Sequence, residues 1–131
     1  MAWSKFRGGN KFGAKRVQYD NFTFASKLEA SVYQLLKLDP NIEIVQCQAR
    51  VKLTKAEIVY IPDFKCLDKT TNETFYVEAK GIEGERYIII RKLWKFYGEC
   101  PLIVYKGSHL NPRLYETITP ETSSDEVTTN N

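Results

Sequence analysis

Apolar positions along the chain change period several times, and each change predicts an element. KRVQYDNFTF (15–24) reads as two short strands around a turn at Asp20-Asn21. SKLEASVYQLLKL (26–38) shifts to helical spacing, with Leu28, Val32, Leu35 and Leu36 in one stripe. Ser26 suits its N-cap, and Asp39-Pro40-Asn41 stops it. IEIVQCQARVKL (42–53) has strand composition and partial alternation, while EIVYIPDFKCL (57–67) and ETFYVEAKG (73–81) predict a hairpin. ERYIIIRKLWKFY (85–97) places Ile90, Leu93, Trp94 and Tyr97 at i, i+3, i+4 and i+7, which predicts a second helix, although its β-branched run is a weak start. PLIVYK (101–106) is the continuous apolar run of a buried strand. The order β-β-α-β-β-β-α-β predicts an α/β (α+β) fold with a central mixed sheet flanked by helices.

The hairpin raises a chemical question. If its strands pair symmetrically about Thr70-Thr71, Phe64 meets Val77, Cys66 meets Phe75 and Pro62 meets Ala79 on an apolar face. Asp63 then lies opposite Glu78, Ile61 opposite Lys80 and Lys65 opposite Tyr76 on the other face, because strand side chains alternate. A slip of one residue would mix the two faces, so the pattern favours this register. Two opposed carboxylates repel. A hard divalent cation such as Mg²⁺ would offset that, since it prefers carboxylate oxygens and water. Lys80 would offset it too, as part of a surface salt bridge with both acids worth about 0–1 kcal/mol. Glu29 is a third acid. Ser26-x-x-Glu29 has the form of a capping box, in which Glu29 returns to the Ser26 N–H, yet Glu29 also borders the apolar stripe near Val32 and Leu36.

Composition is that of an ordinary globular domain: 131 residues, 43% hydrophobic and 27% charged. There is no run of 18 apolar residues and no apolar stretch behind the basic N-terminus, so neither a membrane span nor a secretory signal is expected. Cys47, Cys66 and Cys100 are odd in number and widely spaced, which argues against a disulfide framework or a zinc site and for a reducing cytoplasm. The net charge of +3 conceals a gradient, +5 over residues 1–16 and −4 over 116–131. The Gly-rich arm with Lys5, Arg7, Lys11, Lys15 and Arg16, interleaved with Trp3, Phe6 and Phe12, suggests a polyanion partner; a solubilising tail is the plainer reading. The segmentation expected is a flexible basic arm at 1–14, one folded domain at 15–116 and a disordered acidic tail at 117–131.

The sequence of acids, Glu29 on the first helix, then Pro62-Asp63, then Glu78-Ala79-Lys80 on the hairpin, resembles the PD-(D/E)xK nuclease superfamily. FASKLEA, YIPDF, FYVEAKG and LIVYKGS look like the phage endonuclease I type of Holliday-junction resolvase, across about residues 16–108. The resemblance implies a restriction-endonuclease-like core and a Mg²⁺-dependent endonuclease that hydrolyses DNA phosphodiesters, with Mn²⁺ able to substitute. It implies that Asp63, Glu78 and the Ala79 carbonyl hold the ion, that Glu29 joins them, and that Lys80 orients the attacking water and stabilises the transition state. It also implies a homodimer, and the cytoplasm as its place, the host's if the chain is phage-encoded. The hairpin loop is longer than in endonuclease I and residues 42–53 differ, so branched-DNA selectivity is a narrower expectation than the chemistry.

Other positions carry less. Arg91, Lys92 and Lys95 offer a basic helix face for phosphates, or a solvated one. Gln46 and Gln48 share one face of the 42–53 strand and read first as sheet surface, and His109 reads as a loop residue. Three alternatives stay open: a non-catalytic nucleic-acid-binding module, a nicking or recombination nuclease of other specificity, and a small structural or adaptor protein. The last explains the basic arm poorly and the Asp-Glu-Lys face not at all.

Overall fold

The computed structural model describes residues 17–20, 22–79 and 84–121. The basic arm with Lys5, Arg7, Lys11, Lys15 and Arg16, the Lys80-Gly81 pair and the chain from 122 onward lie outside the described residues. Two short strands, β1 (Val17–Tyr19) and β2 (Phe22–Phe24), pair antiparallel around the Asp20 turn. Helix α1 (Lys27–Leu38) follows, then β3 (Ile42–Cys47), β4 (Val51–Lys52), β5 (Val59–Tyr60), β6 (Phe64–Asp68) and β7 (Glu73–Ala79). Helix α2 (Glu85–Tyr97) connects β7 to β8 (Leu102–Ser108), and β9 (Asn111–Ile118) closes the order. The fold is α+β. Its central sheet has five strands in the order β3-β6-β7-β8-β9, with β7 and β8 parallel and the other neighbours antiparallel. This mixed sheet between two helices is compatible with a restriction-endonuclease-like core. Among the described residues no helix is long and apolar enough to cross a membrane.

Strand alternation divides the core into two layers. Phe64, Cys66, Val77 and Ala79 face α1, where they meet Ala30, Val32, Tyr33 and Leu36. Phe24, Tyr33 and Phe64 form an aromatic cluster there, with centroids 5.0–6.2 Å apart. Leu102, Val104 and Ile118 face α2 and pack with Tyr60, Ile90 and Trp94. Trp94 is held by edge contacts from Tyr60 and Tyr76 and by an indole N–H donated to the Cys100 carbonyl at 2.7 Å. Gly98 ends α2 so close to Trp94 that a Cβ would stand 2.6 Å from the Trp94 carbonyl oxygen, which leaves only glycine room.

Several expectations hold and several need correction. The hairpin register is the expected one: Phe64 pairs with Val77, Lys65 with Tyr76 and Cys66 with Phe75. Its ladder closes at Phe64–Val77, so the pairs expected beyond it, Pro62–Ala79 and Asp63–Glu78, are not ladder partners. The cause is Pro62, which has no N–H to give a ladder, and the single strand expected over 57–67 breaks there into β5 and β6. The strand expected over 42–53 also breaks, because Gln48 takes a positive φ of 59° and turns the chain toward β4. On α1, Tyr33 rather than Leu35 completes the buried stripe, and Leu35 is exposed. The tail does not begin at 117: Thr117 and Ile118 belong to β9, and Ile118 and Pro120 are buried.

Candidate active site

Three acids arrive at one end of the sheet from three elements. Glu29 lies in the first turn of α1, fixed there by the Ser26 cap, whose hydroxyl accepts the Glu29 N–H at 3.1 Å. Glu29 does not return to the Ser26 N–H as a capping box would; its Oε1 accepts from the Ala25 N–H at 3.1 Å. It is only 7% exposed, the one buried charged side chain among the described residues. Asp63 sits at the bend between Pro62 and β6. Its Oδ2 accepts from the Ala79 N–H of β7 at 2.8 Å, and its backbone carbonyl accepts from the Gln48 N–H at 2.9 Å. Glu78, on β7, accepts from the buried Tyr60 hydroxyl at 2.9 Å.

Gln48 joins the first two acids. Its side-chain amide Nε2 stands 3.3 Å from Glu29 Oε2 and 3.3 Å from Asp63 Oδ1, so two carboxylate oxygens converge on one electropositive group. The sequence treated Gln48 as sheet surface. The left-handed backbone that ends β3 is what swings it inward, and a sequence pattern carries no sign of that turn. Tyr60 escaped notice for a different reason, because in an apolar run its hydroxyl reads as core. Gln46, on the same strand as expected, is exposed opposite Lys65 and does not reach the acids.

The electrostatics follow from this crowding. Burial, then the charges of Glu78 and Glu29, push Asp63 well above the usual carboxylate range; a hydrogen bond with the Glu29 carboxyl adds to the rise and the Ala79 N–H opposes it. Burial and the Glu78 and Asp63 charges raise the Tyr60 phenol in the same way, with Arg86 acting against them. Burial, then the Glu29 charge, push the Cys47 thiol above its ordinary value.

Among the described residues no group of three His, Cys, Asp or Glu side chains stands where it could hold a metal ion. The donor set nonetheless fits a hard divalent cation. Its atoms are carboxylate oxygens, and the Glu29 and Asp63 oxygens already aim at a common point that an amide N–H group occupies. Of the residues expected at the site, Glu29, Asp63 and Glu78 are brought together. Ala79 meets Asp63 through its N–H, and Lys80 lies outside the described residues. Of the basic helix face, Arg91 is engaged elsewhere: its Nε donates to Glu116 at 2.6 Å, and Tyr87 donates to the same carboxylate. Lys92 is exposed, while Lys95 is partly buried and its carbonyl accepts from the Glu121 N–H at 2.8 Å.

One protein-family model, described as "Protein of unknown function (DUF1064)", matches residues 9–108, a span that contains all three acids and Gln48. No curated protein and no solved structure matches the chain.

Proposed function

The chain belongs to the DUF1064 family, and we propose that it is a divalent-metal-dependent endodeoxyribonuclease. The observation that carries this reading is the convergence of Glu29 and Asp63, from elements 34 residues apart, on one electropositive point beside Glu78. A like-charge cluster is costly to keep in a fold and is a mark of functional sites. Glu29, Asp63, Glu78 and the Ala79 carbonyl would hold Mg²⁺ or Mn²⁺, which supplies charge neutralisation at a phosphate oxygen and a more acidic water. The chain's own residues do the rest. Gln48 keeps the Glu29 and Asp63 carboxylates aimed together, and Tyr60 fixes the rotamer of Glu78. Lys80 follows Ala79 directly in sequence; its ammonium would orient the attacking water and stabilise charge in the transition state. Branched DNA as the preferred substrate, a homodimer as the working unit and the cytoplasm as its place are parts of the same proposal, and they rest on the sequence resemblance.

The test is cleavage of a labelled four-way junction beside a linear duplex of matched sequence, with Mg²⁺ and with EDTA. Mg²⁺-dependent cuts that Asp63→Asn abolishes support the reading, and cuts confined to the junction support its narrower form. The absence of a three-acid group poised for metal among the described residues favours a second reading, a non-catalytic nucleic-acid-binding module. DNA binding without any cut in Mg²⁺ or Mn²⁺ would decide for that module.

A further inference from the structure

Strand β8 runs on beyond its last described partner in β7. It runs parallel to β7 with Glu78 beside Val104 and Ala79 beside Tyr105, then continues to Ser108 and returns as β9. Among the described residues the part beyond Tyr105 pairs with β9: Lys106 with Arg113, Gly107 with Pro112 and Ser108 with Asn111. Residues 106–113 therefore form a β8–β9 hairpin that begins beyond the Ala79–Tyr105 pair, at the end of the sheet where Glu78 and Ala79 stand. Lys106 is two residues beyond the partner of Glu78, about 7 Å further along the strand direction and on the same face by alternation. Arg113 lies across from it and shares that face.

Three features make this hairpin a fixed feature of the site's rim. Gly107 takes a φ of +108°, with the position of a Cβ only 2.7 Å from the Asn111 carbonyl oxygen, so the turn needs glycine. The His109 carbonyl accepts from Ser31 Oγ at 2.7 Å, which ties the tip to α1 two residues beyond Glu29. The Lys106 ammonium lies 4.1 Å from the centre of the Tyr115 ring. Leu110 at the tip is 83% exposed. Between 106 and 115 there is no acid, while Lys106 and Arg113 are both present.

We infer that the β8–β9 hairpin is a strand-gripping element, in which Lys106 and Arg113 bind phosphates of a DNA strand next to the one presented to the carboxylates. The charge is complementary: a strand carries one phosphate per 3.4 Å of axis, so a grip about 7 Å from Glu78 falls within two nucleotides of it. The position of the grip relative to the cut rests on the nuclease reading; the binding itself does not.

The experiment is equilibrium binding of a fluorescent four-way junction in EDTA over a salt series. Lys106→Gln/Arg113→Gln is compared with wild type and with Lys37→Gln/Lys69→Gln, which removes the same charge at the opposite end of the sheet. Two lost phosphate contacts reduce the slope of log K against log salt by about 1.8, and weaken binding by up to about 60-fold at 0.1 M salt. The control pair is expected to leave both nearly unchanged. Wild-type-like binding by the hairpin variant, an equal loss in the control, or no DNA binding by wild type would overturn the inference. Should the double variant fail to fold, Arg113→Gln alone carries the test with a slope change of about 0.9. Hairpin-dependent binding by a protein that cuts nothing in Mg²⁺ keeps the grip and removes the nuclease. Mg²⁺-dependent cutting that the hairpin variant retains, with binding unchanged, removes the grip and keeps the nuclease.

Discussion

Gln48→Ala is the sharpest test of how the acids are held. The substitution leaves the backbone φ of 59° with another β-carbon residue, so the turn costs about the same in both proteins. What it removes is one amide that donates to Glu29 and Asp63, 3.3 Å from each. A hydrogen bond to a charged group contributes about 1.5–3 kcal/mol, and these are long, so each belongs at or below the low end of that range. The expected loss is about 2 kcal/mol at pH 7 in EDTA. With a urea m-value of about 1.5 kcal/mol/M the unfolding midpoint falls by about 1.3 M. The loss also has a pH signature. The Asp63 pKa is raised in the folded protein, so its charge is a cost to the fold at high pH, and protonation relieves that cost as the pH falls through the raised value. A protonated Asp63 can donate to Glu29 itself and so replaces the missing amide. The gap between variant and wild type is therefore expected to shrink on acidification. Equal urea midpoints at pH 7, or a gap that widens in acid, would refute the claim that Gln48 holds the two carboxylates together.

The other expectations are shorter. Tyr60→Phe keeps the packing on Trp94 and removes only the hydroxyl that Glu78 accepts; it is expected to retain the fold and to raise the Mg²⁺ concentration needed for half-maximal cleavage several-fold, read from a Mg²⁺ titration of cutting. Lys80→Ala is expected to bind DNA like wild type and to lose cleavage by about 100-fold or more in single-turnover assays; normal turnover would remove Lys80 from the chemistry. At Glu116, burial alone would raise the carboxyl, but the Tyr87 and Arg91 hydrogen bonds outweigh it and the pKa is lowered. That linkage stabilises the fold above the ordinary glutamate value of about 4.3 and is lost as the pH falls below it, so acid unfolding of Arg91→Ala is expected to lack part of the wild-type stability loss in that range.

The parts of the fold that follow from period alone were legible. Both helices are where their apolar spacing puts them, and the register of the β6–β7 hairpin follows from keeping its apolar face unmixed. The grouping of Glu29 with the hairpin acids was legible for a related reason, because an acid in the first turn beside Val32 and Leu36 faces the sheet end and not open water. Strand β9 was not. NPRLYETI combines Pro112 with polar residues and does not alternate cleanly, which an edge strand tolerates since one side of its backbone makes no ladder. Glu116, which engages Arg91 of α2, could not be foreseen because it lies on that strand.

The unread breaks and the site are the same feature. A regular strand through 42–53 would have kept Gln48 in the alternation of β3, and a regular strand through 57–67 would have placed Asp63 as one more ladder residue opposite Glu78. Pro62 ends the ladder and frees Asp63 to take the Ala79 N–H, while the left-handed turn at Gln48 supplies both a backbone N–H to the Asp63 carbonyl and a side-chain amide between the acids. Each local departure from strand geometry is compensated by a hydrogen bond to the other. Regularity could thus predict the frame around the site but not the site, since bringing like charges together needs the backbone to leave its repeating path where the pattern stops being informative. Restoring regularity is then expected to be harmful. Pro62→Val, which supplies a ladder N–H and a strand-forming side chain, should preserve or raise stability while weakening the Asp63–Ala79 bond and Mg²⁺-dependent cleavage. A variant that gained stability and kept full cleavage would show that the break is incidental to the chemistry.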